Sequence, residues 1–207
     1  MLVSKQFIFV GDSVTDCHRK RALRHQKTEA ALGHGYVKML ALGALKTHQV
    51  WNRGFAGYKT VDTLVDQDSW PNQVLNADCT TLMIGINDIW HALKRDEDVD
   101  IDSSVLQFNR IIQTIKARSL HCMVMEPFAL PFGEVTRRWL PIMANLFKEY
   151  QGVCEDNDLC WIPLQHLLEL ERQPEKYLED GVHPTHLGHQ WIAQQWLAHI
   201  SPTIVAT

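Results

Sequence analysis

Short apolar runs recur along the chain, separated by longer stretches in which apolar residues return every three or four positions. The runs Gln6–Val10, Gln49–Asn52, Thr80–Gly85, Cys122–Glu126 and Leu159–Pro163 have strand length and little polar alternation, as strands covered on both faces do. Between them, Thr28–Leu45 and Asp102–Ala117 read as helices. In the second, Ile101, Val105, Phe108, Ile112 and Ile115 share one face, with Asp102 or Ser103 available as cap. Arg137–Glu155 reads as a third helix, started or kinked at Pro141. The segment from Pro184 to Ile200 reads as a last one, with proline near its first turn. Five strands separated by helices predict an α/β fold, a three-layer α/β/α sandwich around a parallel sheet. No repeat, low-complexity segment or linker divides residues 1–207, so a single domain is expected.

In such sheets, sites form at the carboxyl ends of the strands. Gly11-Asp12-Ser13 follow the first strand, Asn52-Arg53-Gly54 the second, and Gly85-Ile86-Asn87-Asp88 the third. Asp180-Gly181-Val182-His183-Pro184 come after the fifth. The residue types that acyl transfer needs therefore gather at one sheet edge. A serine hydroxyl is a weak nucleophile until an adjacent base takes its proton. Ser13 is the candidate nucleophile and His183 the candidate base. Asp180, across a glycine-containing turn, can orient the imidazole. The Ser13 and Gly54 main-chain N–H groups and the Asn87 side-chain amide are candidate oxyanion donors. Ser13 lacks the Gly-x-Ser-x-Gly setting of an α/β-hydrolase elbow.

Bulk properties narrow the partners. The 207 residues are 45% hydrophobic and carry a formal net charge of −4, so no global basic field points to nucleic acid. No window approaches the roughly 18 uninterrupted apolar residues of a membrane span. The opening MLVSKQFIFVGDS lacks a secretory apolar core, and the five cysteines are odd in number without a Cys-x-x-Cys pair. Reduced thiols in a cytoplasmic protein are expected.

The blocks GDSVTD, NRG, GIND and DGVHP, in this order from residue 11 to residue 184, resemble those of the SGNH (GDSL-type) hydrolases, with Val14 where leucine is usual. The resemblance implies a flavodoxin-like sheet of five parallel strands. It also implies Ser13 as nucleophile, His183 as base, Asp180 as its orienter, and Ser13, Gly54 and Asn87 as oxyanion donors, with no cofactor. LGHGYVKML, GINDIW, EPF and DGVHPTHLGHQWIAQQWL are further similar to the bacterial intracellular branch that includes acetylxylan esterases. That similarity implies a serine esterase that removes acetyl groups from a small-molecule or oligosaccharide ester, and a homo-oligomer. Two other readings are a lysophospholipase or thioesterase for longer acyl chains, and a catalytically silent glycan-binding protein.

Other residues have plainer expectations. His183, His186 and His189 step by three, which on a helix turns the outer pair apart by about 120°, so no metal site is expected. His186 and His189 then belong on the helix surface or near the site entrance. The basic stretch from His18 to Thr28 departs from what a neutral sugar site suggests. It reads first as a solvated face, and alternatively as a rim that attracts an anionic substrate or contacts a neighbouring subunit. Phe55 and Trp90, beside the candidate oxyanion donors, are candidate walls for the acyl or sugar group.

Overall fold

Along β1 (Gln6–Gly11), Phe7 and Phe9 point to one face of a sheet and Ile8 and Val10 to the other, and all four are buried. Side chains alternate across a strand, so a strand apolar on both sides must be covered on both sides. The computed structural model describes residues 4–23, 25–67 and 76–206. Its other strands are β2 (Gln49–Gly54), β3 (Ala77–Met83), β4 (Ser119–Met125) and β5 (Cys160–Ile162). All pair in parallel, in the order β2-β1-β3-β4-β5. The expected flavodoxin-like α/β/α arrangement is thus the one found. Gly11 stands opposite both Gly54 and Met83, so β1, β2 and β3 end in one row. The connection reverses direction between β1 and β3, which opens a crevice at their carboxyl ends.

The helices are α1 (Ser13–Asp16), α2 (Tyr36–Leu42), α3 (Thr60–Asp66), α4 (Ile86–Lys94), α5 (Ile101–Arg118), α6 (Trp139–Asp156), α7 (Leu164–Glu169), α8 (His186–His199) and α9 (Pro202–Val205). One face of the sheet, through Ile8, Val10, Leu82 and Val124, packs on Phe108, Ile112, Leu146 and Tyr150 of α5 and α6. The other, through Phe7, Phe9, Met125 and Ile162, packs on Tyr36, Leu40, Ile192 and Trp196 of α2 and α8. Each such side chain contributes about 1.5–3 kcal/mol on full burial. Trp196 meets the polar requirement of burial by donating from Nε1 to Thr81 Oγ1 at 2.9 Å.

Some expected elements move. The helix expected over Thr28–Leu45 is broken: a 3₁₀ turn at Glu29–Ala31 and α2 flank Gly33, whose φ of +80° ends helical geometry. Lys20 N–H donates to Ala30 O at 2.7 Å and His34 N–H to Cys17 O at 2.8 Å, so the segment is anchored to the chain just after α1. The cap of α5 is Asp100, which accepts from Ser103 N–H at 3.0 Å, in place of Asp102 or Ser103. Pro141 lies in the first turn of α6, where its missing N–H has no helical partner to lose, and it starts that helix without breaking it.

Candidate active site

The nucleophile candidate is set by a very short helix. Asp12 caps α1, accepting from Val14 N–H at 3.0 Å, and Ser13 is the first helical residue. One turn cannot hold its own orientation, so tertiary bonds fix it. Asn52 Nδ2 donates to Thr15 O at 2.6 Å and to Leu32 O at 2.8 Å, and Thr15 Oγ1 bonds Tyr36 Oη at 2.9 Å. The Asp16 carboxylate accepts from Arg19 N–H at 3.1 Å, Arg21 Nε–H at 2.8 Å and Ala56 N–H at 3.1 Å.

Ser13 Oγ lies 3.0 Å from His183 Nε2, and His183 Nδ1 lies 2.7 Å from Asp180 Oδ2. With Nδ1–H donating to the carboxylate, Nε2 presents its lone pair to the serine hydroxyl. Asp180 Oδ1 accepts from Val182 N–H at 3.0 Å and His183 N–H at 2.8 Å. Partial burial pushes the Asp180 carboxyl up. The two main-chain N–H groups and the imidazole outweigh burial and hold it below the usual carboxylate range. An imidazole so held can take a proton from Ser13 and return it to a leaving group. Ser13 and the distant Asp180–His183 turn share one cavity of about 710 Å³.

The oxyanion candidates divide. Asn87, in the first turn of α4, donates one amide hydrogen to Tyr58 O at 3.0 Å and keeps a second. The Gly54 N–H, expected to aim at an oxyanion, instead donates to Asn52 Oδ1 at 2.9 Å. Gly54 is there for close approach: a Cβ would meet Asp16 N at 2.3 Å. Just beyond it, Phe55–Tyr58 forms a turn closed by Tyr58 N–H donating to Phe55 O at 3.1 Å, with Gly57 at φ +83° as its third residue. Phe55 N–H bonds Gly11 O and Ala56 N–H bonds Asp16 Oδ2. Gly57 N–H is the turn amide left available, on a turn tied to Asn87 through Tyr58 O.

Phe55 is not a wall of the cavity. Its ring stacks on Tyr58 at 4.6 Å, and the Arg19 and Arg21 guanidinium carbons lie 4.5 Å and 5.2 Å from its centroid, a cation–π arrangement. Most of the basic stretch, including His18, Lys20, Arg21 and Lys27, is exposed as a solvated face would be, and Arg19 is the buried exception. His18, Arg19 and Arg21 line the cavity, but Arg19 is buried with its Nε–H on Gly54 O at 2.7 Å, and Arg21 pairs with Asp16. Arg24, in the same stretch, lies outside the described residues. Trp90 does stand by the site, with its ring 5.6 Å from the His183 imidazole.

Other residues at the site have duties that the sequence did not reveal. His189, expected on the helix surface or near the site entrance, is buried and lines the Ser13 cavity. Its Nδ1 accepts from Tyr36 N–H at 3.3 Å, which leaves Nε2–H to donate to Cys17 Sγ at 3.2 Å. Burial first, then the nearby histidine charges, lower its pKa to about 4, so the ring is neutral and bonds as a fixed tautomer. Asp12, fully buried, is pushed up to about 7 by that burial, against the opposing Val14 N–H bond and His183 charge. Asp88 accepts from Thr60 N–H and Thr60 Oγ1–H at 2.9 Å each, and from Ser104 Oγ–H at 3.0 Å. It fastens the start of α4, and with it Asn87, to α3 and α5. Among the described residues no group of three His, Cys, Asp or Glu side chains is placed to hold a metal ion, and no helix is long and apolar enough to cross a membrane.

Known proteins match this chain along nearly its whole length. The model of the GDSL-like Lipase/Acylhydrolase family matches residues 9–191. An acetylxylan esterase of Geobacillus stearothermophilus is 26% identical over 213 residues, covering 95% of this chain and 94% of its own. Among solved structures, a catalytic mutant of Axe2, an acetylxylan esterase from the same organism, superposes with a TM-score of 0.82 at 23% identity over 100% of both chains. LAE5, an α/β hydrolase enzyme from the metagenome of Lake Arreo, Spain, gives 0.80 at 21% identity over 96% of both.

Proposed function

The chain belongs to the GDSL-like lipase/acylhydrolase family and is a serine esterase, and on that premise we propose that it removes acetyl groups from carbohydrate esters through an acyl-serine intermediate. The observation that carries the reading is the hydrogen-bonded chain from Ser13 Oγ through His183 to Asp180. Ser13 Oγ attacks the ester carbonyl while His183 Nε2 takes its proton. The negative oxygen of the tetrahedral intermediate is met by the Ser13 N–H, the free Asn87 amide hydrogen and the Gly57 N–H, which takes the place expected of Gly54. As the intermediate collapses, the imidazolium protonates the leaving alcohol and acetyl-Ser13 remains. Water then gives a proton to His183, attacks the acyl carbon, and releases acetate as Ser13 recovers its hydrogen.

The cavity around Ser13 supports a short acyl group. Asp16, His18, Arg19, Arg21, Glu179 and His186 line it, and an alkyl chain laid across such groups would strip them of water without replacement bonds. A longer-chain lysophospholipase or thioesterase fits this lining poorly. A silent glycan-binding protein has no use for a serine hydroxyl 3.0 Å from an oriented imidazole. The name of the Geobacillus relative, acetylxylan esterase, supports the carbohydrate part of the reading. The five free cysteines suit a reducing, cytoplasmic setting for what we read as one catalytic domain, and the resemblance suggests a homo-oligomer. A series of p-nitrophenyl esters tests the reading. Turnover should fall steeply beyond two acyl carbons, and Ser13→Ala should abolish it. Equal rates for acetate and decanoate esters, or an active Ser13→Ala protein, would refute it.

A further inference from the structure

Trp90 stands between two cavities. On one side its ring contacts His183, which lines the cavity of Ser13. Its Nε1–H donates to Glu134 Oε2 at 3.2 Å, and its ring meets the buried Trp139 at 5.5 Å and 65°. These contacts fix the indole plane. Trp90 also lines a separate groove of about 370 Å³, together with Leu93, Lys94, Glu134, Thr136 and Arg138.

We propose that this groove holds the leaving-alcohol side of the substrate, a sugar ring stacked on Trp90 with its hydroxyls bonded to Lys94, Glu134 and Thr136. The proposal rests on the carbohydrate-ester reading above and adds where the carbohydrate sits. The first argument is directional. His183 must hand its proton to the leaving oxygen, so the alcohol lies against the imidazole, while the carbonyl oxygen turns to the Ser13 and Asn87 donors. Trp90 is the aromatic side chain beside that imidazole, and it lies three residues from Asn87 on α4, on the same side of the helix. The second argument is chemical. A pre-oriented aromatic face bordered by a few polar groups is what a ring with apolar C–H faces and hydroxyl edges requires. An alkyl leaving group would leave Lys94 and Thr136 unused. Arg138, which also lines the groove, pairs with Asp96 at 3.2 Å.

The test compares acetylated xylo-oligosaccharides with ethyl acetate, whose leaving group is too small to reach the groove. In Trp90→Leu the ratio of kcat/KM for the oligosaccharide to that for ethyl acetate should fall about tenfold, mainly through KM, and Trp90→Phe should restore much of it. Thr136→Arg, which fills the groove from its exposed rim, should lower the same ratio and serves if Trp90→Leu does not fold. An unchanged ratio overturns the proposal, as does an equal loss on both esters. If the parent hydrolyses neither ester, it is the esterase reading that fails. The groove is then judged by calorimetric titration with deacetylated xylo-oligosaccharide. Heat of binding that disappears in Thr136→Arg upholds the groove, and no binding to the parent at millimolar sugar overturns it.

Discussion

Asp180 grips His183 at two places, with Oδ2 on the ring Nδ1 at 2.7 Å and Oδ1 on the main-chain N–H at 2.8 Å. The main-chain bond fixes the carboxylate against the turn, and the ring bond fixes the tautomer. Asp180→Asn keeps the size but can present a donor to Nδ1, which moves the ring hydrogen to Nε2, where Ser13 needs a lone pair. We expect kcat to fall by about 10³–10⁴ with KM little changed. A loss below tenfold in steady-state kinetics would mean that Asp180 does not set the tautomer.

Two buried or half-buried carboxyls pull stability in opposite directions with pH. Asp180 is held below its ordinary value, so its contribution is present above pH 3.8 and is lost as pH falls through its folded value. Asp12 is raised to about 7 by burial. Between pH 3.8 and 7 the folded state binds more protons there than the unfolded state, so stability falls as pH rises across that window. Asp12→Asn keeps the capping oxygen and removes the ionisation. The Tm difference, variant minus parent, should therefore grow from pH 5 to pH 8, reflecting a cost of a few kcal/mol in the parent. A flat difference would show that Asp12 does not titrate in this range.

Gly54 is a packing position. Gly54→Ala puts a methyl group 2.3 Å from Asp16 N, a main-chain atom of the helix that carries Ser13. The expected result is a loss of about 1–3 kcal/mol in denaturant unfolding, accompanied by a fall in kcat as α1 shifts. Full stability with unchanged kcat would show that β2 and α1 can part at no cost.

The sheet was legible because β1 and the carboxyl ends of β3 (Leu82, Met83) and β4 (Met123, Val124, Met125) are apolar on both faces, and that forces two covering layers. Asp180 and His183 were legible because their relationship is local, closed by a three-residue turn. Gly54 was misread because a glycine kept for close approach and one kept for its N–H look alike until the partner is known, and that partner, Asn52, is two residues away in the same strand. Phe55 carries the same lesson, since its ring could face a ligand as readily as a pair of arginines. The three-residue histidine repeat implied diverging side chains. It could not say that the divergence sends His189 inward to Cys17 and Tyr36. The Thr28–Leu45 helix failed because segment 17–20 offered its backbone better partners than a helix did.

Asn87 and Asp88 are neighbours with separable duties. Asn87→Ala removes a proposed oxyanion donor and should lower kcat by about 10²–10³ with little change in Tm. Asp88→Ala leaves the Thr60 N–H, Thr60 Oγ1–H and Ser104 Oγ–H donors without their acceptor. That should cost about 2–3 kcal/mol of stability and lower kcat by displacing Asn87. Because Asp88 acts through Asn87, the double variant should have the kcat of Asn87→Ala alone. Multiplicative losses in the double variant would mean that Asp88 reaches the chemistry by another route. The side chains it touches, Thr60 and Ser104, would then be the next to substitute, with Thr60 first because it also bonds Tyr150 Oη at 2.8 Å.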